Sequence, residues 1–170
     1  MSSRRLFVGL MADDRMRDAV DALRSTWVLP PGARMVPRHN LHLTLHFLGD
    51  VDLIDEASLV EALAAVQVPE LQLSIQSTAI WPDGVVVLLA EGTPALDDLR
   101  RDTGVAVAAA GLESEPRWTP HMTLARHAGA AQAPAAIDPI IWAPREVSLV
   151  WSRRDAAGYE VVQAWPMVTG

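Results

Sequence analysis

The feature that most constrains this chain is a short alternating motif that occurs twice, about half the chain apart. His42-Leu43-Thr44-Leu45 and His121-Met122-Thr123-Leu124 each place a histidine and a threonine two residues apart. Successive side chains of a strand point to opposite faces of its sheet, so each motif puts its polar pair on one face and its apolar pair on the other. The recurrence predicts two pseudo-equivalent halves, each with strands and one or two helices, facing each other across a groove.

Hydrophobic periodicity predicts an α+β fold. The predicted strands cover residues 6–10, 41–48, 71–76, 85–90, 121–125, 147–151 and 159–165, and the last two form a hairpin whose loop Gly158 closes. Three helices are predicted. The first is capped by Asp13 or Asp14, the second runs from about residue 52 to residue 66, and the third extends from Thr93-Pro94 to Gly111. Gly49 and Asp50 are expected to end the second strand, and residues 128–139, rich in Ala, Gly and Pro, to be irregular.

Composition limits the classes of function. The 170 residues, half of them hydrophobic, suit a single domain over residues 1–170 with two lobes. A formal charge of -7 has the wrong sign for gripping long duplex nucleic acid, so any RNA contact should be local. The chain has no cysteine, which excludes a disulfide, a thiolate nucleophile and a cysteine-ligated metal. No apolar run has the length of a signal sequence or a membrane span. We expect a cytoplasmic protein that does not bind membranes, and a monomer.

The paired motifs carry the side chains that cleavage of a cyclic phosphodiester requires. A base must activate water and an acid must protonate the departing sugar oxygen, on opposite sides of phosphorus. Imidazoles titrate near neutral pH, so His42 and His121 are the predicted catalytic residues. Thr44 and Thr123 are predicted to donate their hydroxyls to non-bridging phosphate oxygens. This chemistry needs neither a metal nor another cofactor.

The motifs and their flanks resemble the two-histidine (2H) phosphoesterases, in particular the bacterial and archaeal RNA 2',3'-cyclic phosphodiesterase branch. The resemblance spans essentially the whole chain and includes residues 5–8, residues 40–49, Pro120, Ala125-Arg126 and Gly158-Tyr159. It implies a bilobal fold with two antiparallel sheets around a central cleft and helices outside. It also implies conversion of RNA or nucleoside 2',3'-cyclic phosphate ends to 2'-phosphates, with 2'-5' RNA ligation as an associated activity.

The resemblance further implies individual roles. His42 would be the acid and His121 the base, an assignment that the residues alone leave open. Arg126 matches the family's phosphate-binding arginine, although on a regular strand it would lie with Met122 and Leu124, so phosphate contact requires a bulge or the end of the strand. The chain departs from the family at two positions that bear on RNA contacts, since His46 stands where lysine is frequent and Met35 where tryptophan is frequent.

Two further residues and three alternatives complete the predictions. Phe7 and Trp118 are candidates for base stacking, although aromatic rings in a small domain commonly serve packing. His39, His42 and His46 can be considered as metal ligands, but alternation places His39 opposite the other two and no nearby carboxylate completes a site. The chain can also be an RNA-end or nucleotide-binding module with little turnover, or a 2H enzyme for another substrate such as ADP-ribose 1'',2''-cyclic phosphate.

Overall fold

The computed structural model describes residues 2–134, 136–155 and 158–169. Its strands are β1 (Ser3–Met11), β2 (Arg34–Met35), β3 (His42–Asp52), β4 (Leu73–Ile80), β5 (Val86–Ala90), β6 (His121–Arg126), β7 (Ala136–Trp142), β8 (Glu146–Ser152) and β9 (Tyr159–Pro166). Its helices are α1 (Asp14–Arg24), α2 (Leu53–Ala64) and α3 (Pro94–Ala109), with a 3₁₀ turn at Arg38–Asn40. The predicted α+β class is confirmed. No helix in the described ranges is long and apolar enough to cross a membrane.

The strands form two antiparallel halves that meet at the two motif strands. The order is β7-β4-β5-β6-β3-β1-β8-β9, with the short β2 paired to β6. One registered pair, Leu43 with Met122, joins β3 to β6. On one side of this junction lie β3, β1, β8 and β9, and on the other β6, β5, β4 and β7. The repeated motifs therefore lie side by side at the centre, and the described strands form one continuous antiparallel sheet where two separate sheets were expected.

Each helix begins at a side-chain cap that the sequence supplies. Asp13 accepts from the backbone N–H of Met16, Asp52 from two N–H groups at the start of α2, and Thr93 from the N–H of Leu96. Each such cap is worth about 1 kcal/mol because it satisfies an otherwise unpaired donor. The predicted start of all three helices is thus confirmed, and α2 ends slightly earlier than predicted.

The apolar faces of the helices pack on the sheet in one core. In α3 and its C-cap, a stripe of residues at helical spacing is buried: Leu96, Leu99, Thr103, Val107 and Ala110. In the sheet, alternate residues of β1 are buried against the same core as the apolar residues of the two motifs. Each fully buried leucine contributes about 1.5–3 kcal/mol relative to an exposed one. The apolar faces of the two motif strands are therefore packed against this core.

Two predicted boundaries are wrong. The strand that was expected to end at Gly49 continues to Asp52, because Gly49 adopts a positive φ of 68° and still pairs with Leu6. Part of the segment predicted to be irregular forms β7, which contains Pro139. An edge strand tolerates proline because one row of its N–H groups needs no partner. Ala135 of that segment and residues 156–157 of the predicted hairpin loop lie outside the described residues.

Candidate active site

The two motifs face the same cleft from neighbouring strands. Leu43 and Met122 point into the core, so the polar residues on either side of each point the other way. Continuing the antiparallel register from that pair sets His42 beside Thr123 and Thr44 beside His121. All four polar residues are half-buried. The structure therefore brings together the four residues that the sequence singles out, and it sets each histidine beside the threonine of the other motif.

Both histidines are held by the same contact. Nδ1 of His42 lies 2.7 Å from the carbonyl oxygen of Asn40, and Nδ1 of His121 lies 2.7 Å from that of Thr119. A carbonyl oxygen only accepts, so in both rings Nδ1 carries the proton and donates. Nε2 is then left for proton transfer in both. In both cases the accepting carbonyl belongs to the residue two positions before the histidine, so the local geometry repeats along with the sequence.

Thr44 contacts the imidazole of its own motif. Its hydroxyl lies 2.9 Å from Nε2 of His42 and donates to it when that nitrogen is unprotonated. The backbone carbonyl of the same threonine accepts from the indole N–H of Trp118 at 2.9 Å. Trp118 thereby ties the segment before β6 to β3. The bond also fixes the orientation of the indole.

Aromatic rings surround His42 and His121. Phe7 stacks on His42 with ring centroids 4.4 Å apart, and Tyr159 lies edge-on to both rings. Trp81 lies 4.5 Å from His121. Phe7 is only 3% exposed, so almost none of its ring is free for a base. Base stacking by Phe7 stays a prediction that this burial does not favour.

Gly9 makes the stack on His42 possible. A Cβ added at this position would lie 2.8 Å from the carbonyl oxygen of Leu43 and 3.2 Å from the ring of Phe7. Only a residue without a side chain lets β1 approach β3 this closely while the Phe7 ring lies across it. The glycine therefore sets the position of the ring that supports His42.

The surroundings of His42 favour its neutral form. The pKa of His42 is lowered to about 4, mainly because the ring is buried; the bond to Asn40 opposes this shift, and the positive charges of His121 and Arg126 contribute to it. A phosphate bound between the histidines would add negative charge and raise this pKa again. The protonation state of His42 thus depends on whether an anion is bound in the cleft.

Two cavities open beside the motif pair. The first, of about 440 Å³, contains His42 and Thr123 and is also lined by Arg34, Met35, Asn40, Arg126 and Tyr159. The second, of about 330 Å³, contains His121 and Thr44 and is also lined by Phe47, Trp81, Arg100, Arg117 and Trp118. Each histidine therefore shares a cavity with the threonine of the other motif. A group bound between the histidines has one cavity on either side.

This geometry accompanies a direct sequence match. The family model of the 2'-5' RNA ligase superfamily matches residues 12–156, which include both motifs. The chain belongs to this superfamily.

Similar proteins of the superfamily span most of the chain. An Escherichia coli protein named RNA 2',3'-cyclic phosphodiesterase is 31% identical over 130 residues, covering 75% of this chain and 74% of that protein. A Methanothermobacter thermautotrophicus protein of the same name is 27% identical over 135 residues, covering 74% and 72%. A solved structure of E. coli LigT complexed with 3'-AMP superposes with a TM-score of 0.86 at 27% identity, covering 98% of this chain and 99% of that one.

The structure also supplies the irregularity that Arg126 was predicted to need. Val86 of β5 pairs with Ala125 and Val87 with Thr123, so Leu124 is the extra residue of a β-bulge. Arg126 follows at the end of β6, exposed, and lines the cavity of His42. Both conditions named from the sequence, a bulge and a strand end, are present in this member of the superfamily.

One side chain points differently from its prediction. Simple alternation put His46 on the cleft face with His42 and Thr44, but Gly9 pairs with Thr44 and Val8 with His46, which makes Leu45 the extra residue of a bulge. The bulge reverses the alternation, and His46 is buried against α3 with 1% exposure. His46 therefore does not line the cleft.

Sequence reasoning missed two residues that contact the histidines in this superfamily member. Tyr159 entered only through the family resemblance at Gly158-Tyr159, and Trp81 was not among the predicted site residues. Neither position carries a local signal for the cleft, because each reaches it through strand pairing. Within the described ranges, no cluster of three or more His, Asp or Glu side chains is arranged to hold a metal ion.

Proposed function

We propose that this protein hydrolyses 2',3'-cyclic phosphate ends of RNA or nucleosides to 2'-phosphates by acid–base catalysis with His42 and His121. The observation that carries the proposal is the matched presentation of two imidazoles, each with Nδ1 held by a backbone carbonyl and Nε2 left for chemistry. The names of the E. coli and M. thermautotrophicus relatives support the same reaction.

The proposed reaction is one in-line displacement. With the cyclic phosphate between the two histidines, one Nε2 takes a proton from water as its oxygen attacks phosphorus. The bond from phosphorus to O3' breaks, and the second Nε2 gives its proton to that oxygen. The product carries a 2'-phosphate and a free 3'-hydroxyl. The family resemblance assigns the acid role to His42 and the base role to His121.

The phosphate would be bound by the threonines and by Arg126. Thr44 and Thr123 lie on neighbouring strands, so their hydroxyls can donate to different non-bridging oxygens as charge accumulates in the transition state. A phosphate oxygen would take the Thr44 hydroxyl in place of Nε2 of His42, 2.9 Å away in the free protein. Arg126 adds a full positive charge from the end of β6.

We place the nucleobase in the cavity that contains His121. Trp118 is half-buried, fixed by its bond to Thr44, and packed on one side by the guanidinium of Arg100 at 5.3 Å. Trp81 lines the same cavity. Base stacking on such rings is tolerant of sequence, which suits an enzyme that acts on RNA ends. A small site of this kind also fits a chain of net charge -7 acting on ends rather than on long duplexes.

The two cavities favour 2'-5' joining of RNA ends as a second activity. If a hydroxyl of another RNA end occupied the cavity opposite the leaving oxygen, it could attack in place of water. A bond from phosphorus to the incoming oxygen would form, the bond to O3' would break, and the histidines would pass the proton between the two oxygens. We propose that both activities belong to a cytoplasmic monomer with residues 1–170 as one domain.

The test is turnover of 2',3'-cyclic nucleotides and RNA ends by the wild type, His42→Ala and His121→Ala. Removal of either acid or base should lower the rate by on the order of 10²- to 10⁴-fold. His39→Ala is the matched control, because His39 is exposed and lies outside the two cavities. Phosphorus NMR of the product distinguishes 2'- from 3'-phosphate.

Near wild-type turnover by either cleft variant would contradict the assignment. Tight binding of nucleotides without turnover by the wild type would favour the binding-module interpretation. Faster turnover of ADP-ribose 1'',2''-cyclic phosphate than of RNA ends would move the substrate elsewhere among 2H enzymes.

A further inference from the structure

His46 is a buried imidazole beside the cleft that the proposed chemistry does not use. It follows Thr44 by two residues on β3, and the bulge at Leu45 turns it away from the cleft toward α3. Burying an ionisable group is costly unless all its polar atoms find partners. The contacts that satisfy this ring therefore indicate what it does.

The hydrogen bonds of His46 define one neutral form. Nε2 lies 3.0 Å from the carbonyl oxygen of Arg100 and 2.8 Å from the hydroxyl of Thr103, and that hydroxyl donates to the carbonyl of Leu99. Nε2 must therefore carry the proton and donate. Nδ1 is then an acceptor, and it receives the hydroxyl of Ser114 at 2.8 Å.

Helix α3 is shaped around this ring. Gly104 lies in the helix interior, where glycine costs about 1 kcal/mol relative to alanine. A Cβ at Gly104 would lie 3.2 Å from Cε1 of His46, so the imidazole occupies the space that the missing side chain leaves. Burial lowers the pKa of His46 to about 4, and the charge of Arg100 adds to this, so the ring is neutral near neutral pH.

Ser114 lies on the segment that leads into the second motif. This connecting segment, residues 110–120, joins α3 to β6. Besides Ser114 it carries Glu115, whose carbonyl accepts from Arg100 at 2.6 Å, and Trp118, which bonds to Thr44. Its Thr119 carbonyl holds Nδ1 of His121. A bond to Ser114 therefore acts on the segment that orients His121.

We propose that His46 is a positioning residue: through Ser114 it fixes the connecting segment, and thereby the orientation and tautomer of His121. The other half has an analogous anchor, since Arg24 donates to the carbonyls of Val36 and Leu124 beside the segment that holds His42. The inference rests on the proposed function only in taking His121 as the residue whose orientation limits turnover.

Ser114→Ala tests the inference because it removes only the hydroxyl that donates to Nδ1 of His46. Turnover of a 2',3'-cyclic nucleotide should fall about tenfold, within the range that small misplacements of reacting groups produce. At alkaline pH, where imidazoles are neutral, nitrogen NMR should find His121 in the Nδ1–H tautomer in the wild type and in a mixture of tautomers in the variant. Ser148→Ala is the matched control, since this buried hydroxyl has no hydrogen-bond partner among the described residues.

A double-mutant cycle then connects Ser114 to His46. In His46→Gln the amide nitrogen can still donate to the carbonyl of Arg100, but the ring nitrogen Nδ1 that accepts from Ser114 is lost. The variant should lose about as much turnover as Ser114→Ala, and the double variant no more, because both remove one interaction. Losses that multiply in the double variant would overturn the inference. So would a wild-type tautomer of His121 in Ser114→Ala, whatever its turnover. The NMR result stands even if no cyclic phosphate is hydrolysed, which separates this failure from failure of the proposed function.

Discussion

Gly9→Ala should damage stability and turnover together, although it adds a single methyl group. The new Cβ would lie 2.8 Å from the backbone carbonyl of Leu43 and 3.2–3.3 Å from two atoms of the Phe7 ring. The first contact is to backbone in the centre of the sheet, which cannot rotate away. The second is to the ring that stacks on His42 at 4.4 Å. Relief of either contact therefore moves a neighbour of His42.

The magnitude follows from these two contacts. Overpacking in a well-packed interior costs about 1–3 kcal/mol, and the backbone contact places this substitution toward the upper end. Displacement of His42 by a fraction of an ångström should lower kcat by roughly 10- to 100-fold. Urea unfolding measures the first effect, and turnover of a 2',3'-cyclic nucleotide measures the second.

Gly92→Ala is the control for Gly9→Ala. No atom lies within 4 Å of a Cβ built at Gly92, so the free energy of unfolding should change by less than about 0.5 kcal/mol. The double variant Phe7→Leu/Gly9→Ala separates the two contacts, because it removes the ring and leaves the clash with Leu43. A Gly9→Ala protein with the stability and turnover of the wild type would refute the reasoning.

Three further predictions concern charge and metals. Arg126→Met removes a positive charge that lowers the pKa of His42, so NMR titration should find this pKa above about 4 but short of 6.5, because burial remains; an unchanged value would contradict the attribution. The neutral form of His46 is favoured in the folded state, so its contribution to the free energy of unfolding should be fully present above pH 6.5 and fall by up to about 3 kcal/mol as the pH drops toward 4, in addition to the similar contribution of His42. His46→Gln should flatten that slope in urea unfolding, and equal slopes would show that other groups cause it. Turnover should survive exhaustive chelation, whereas loss with EDTA and recovery with a divalent ion would indicate metal catalysis.

Local sequence signals predicted the three helices, most of the strands and the four central residues. Helix caps at Asp13, Asp52 and Thr93 depend on side chains within three residues of the N–H groups they satisfy, so they are readable from the chain alone. The alternation of each motif likewise determines which side chains share a face. Pairing of the two motifs across the cleft followed from their recurrence rather than from any single residue.

Features that depend on strand partners were not predictable in the same way. The bulge that buries His46 arises from a shift in the register between β3 and β1, and no local sequence pattern around Leu45 predicts it. Tyr159 reaches His42 through the position of β9 beside β8. Strand β7 formed despite Pro139 because it lies at the edge of the sheet. In each case the deciding information lies in a distant part of the chain.

The pairing of β1 with β8 has a consequence for how the molecule is made. Leu6 pairs with Trp151, so the half that holds His42 joins strands that are far apart in the sequence. During synthesis β1 emerges before the other strands, yet the edge that pairs with β8 has no partner until β8 has followed. Such non-local pairing is slow, and an unpaired apolar strand is prone to associate with other chains. The proteins most at risk of aggregation should therefore be those truncated before β8, and a nascent chain stalled at that point should depend on chaperones for its solubility.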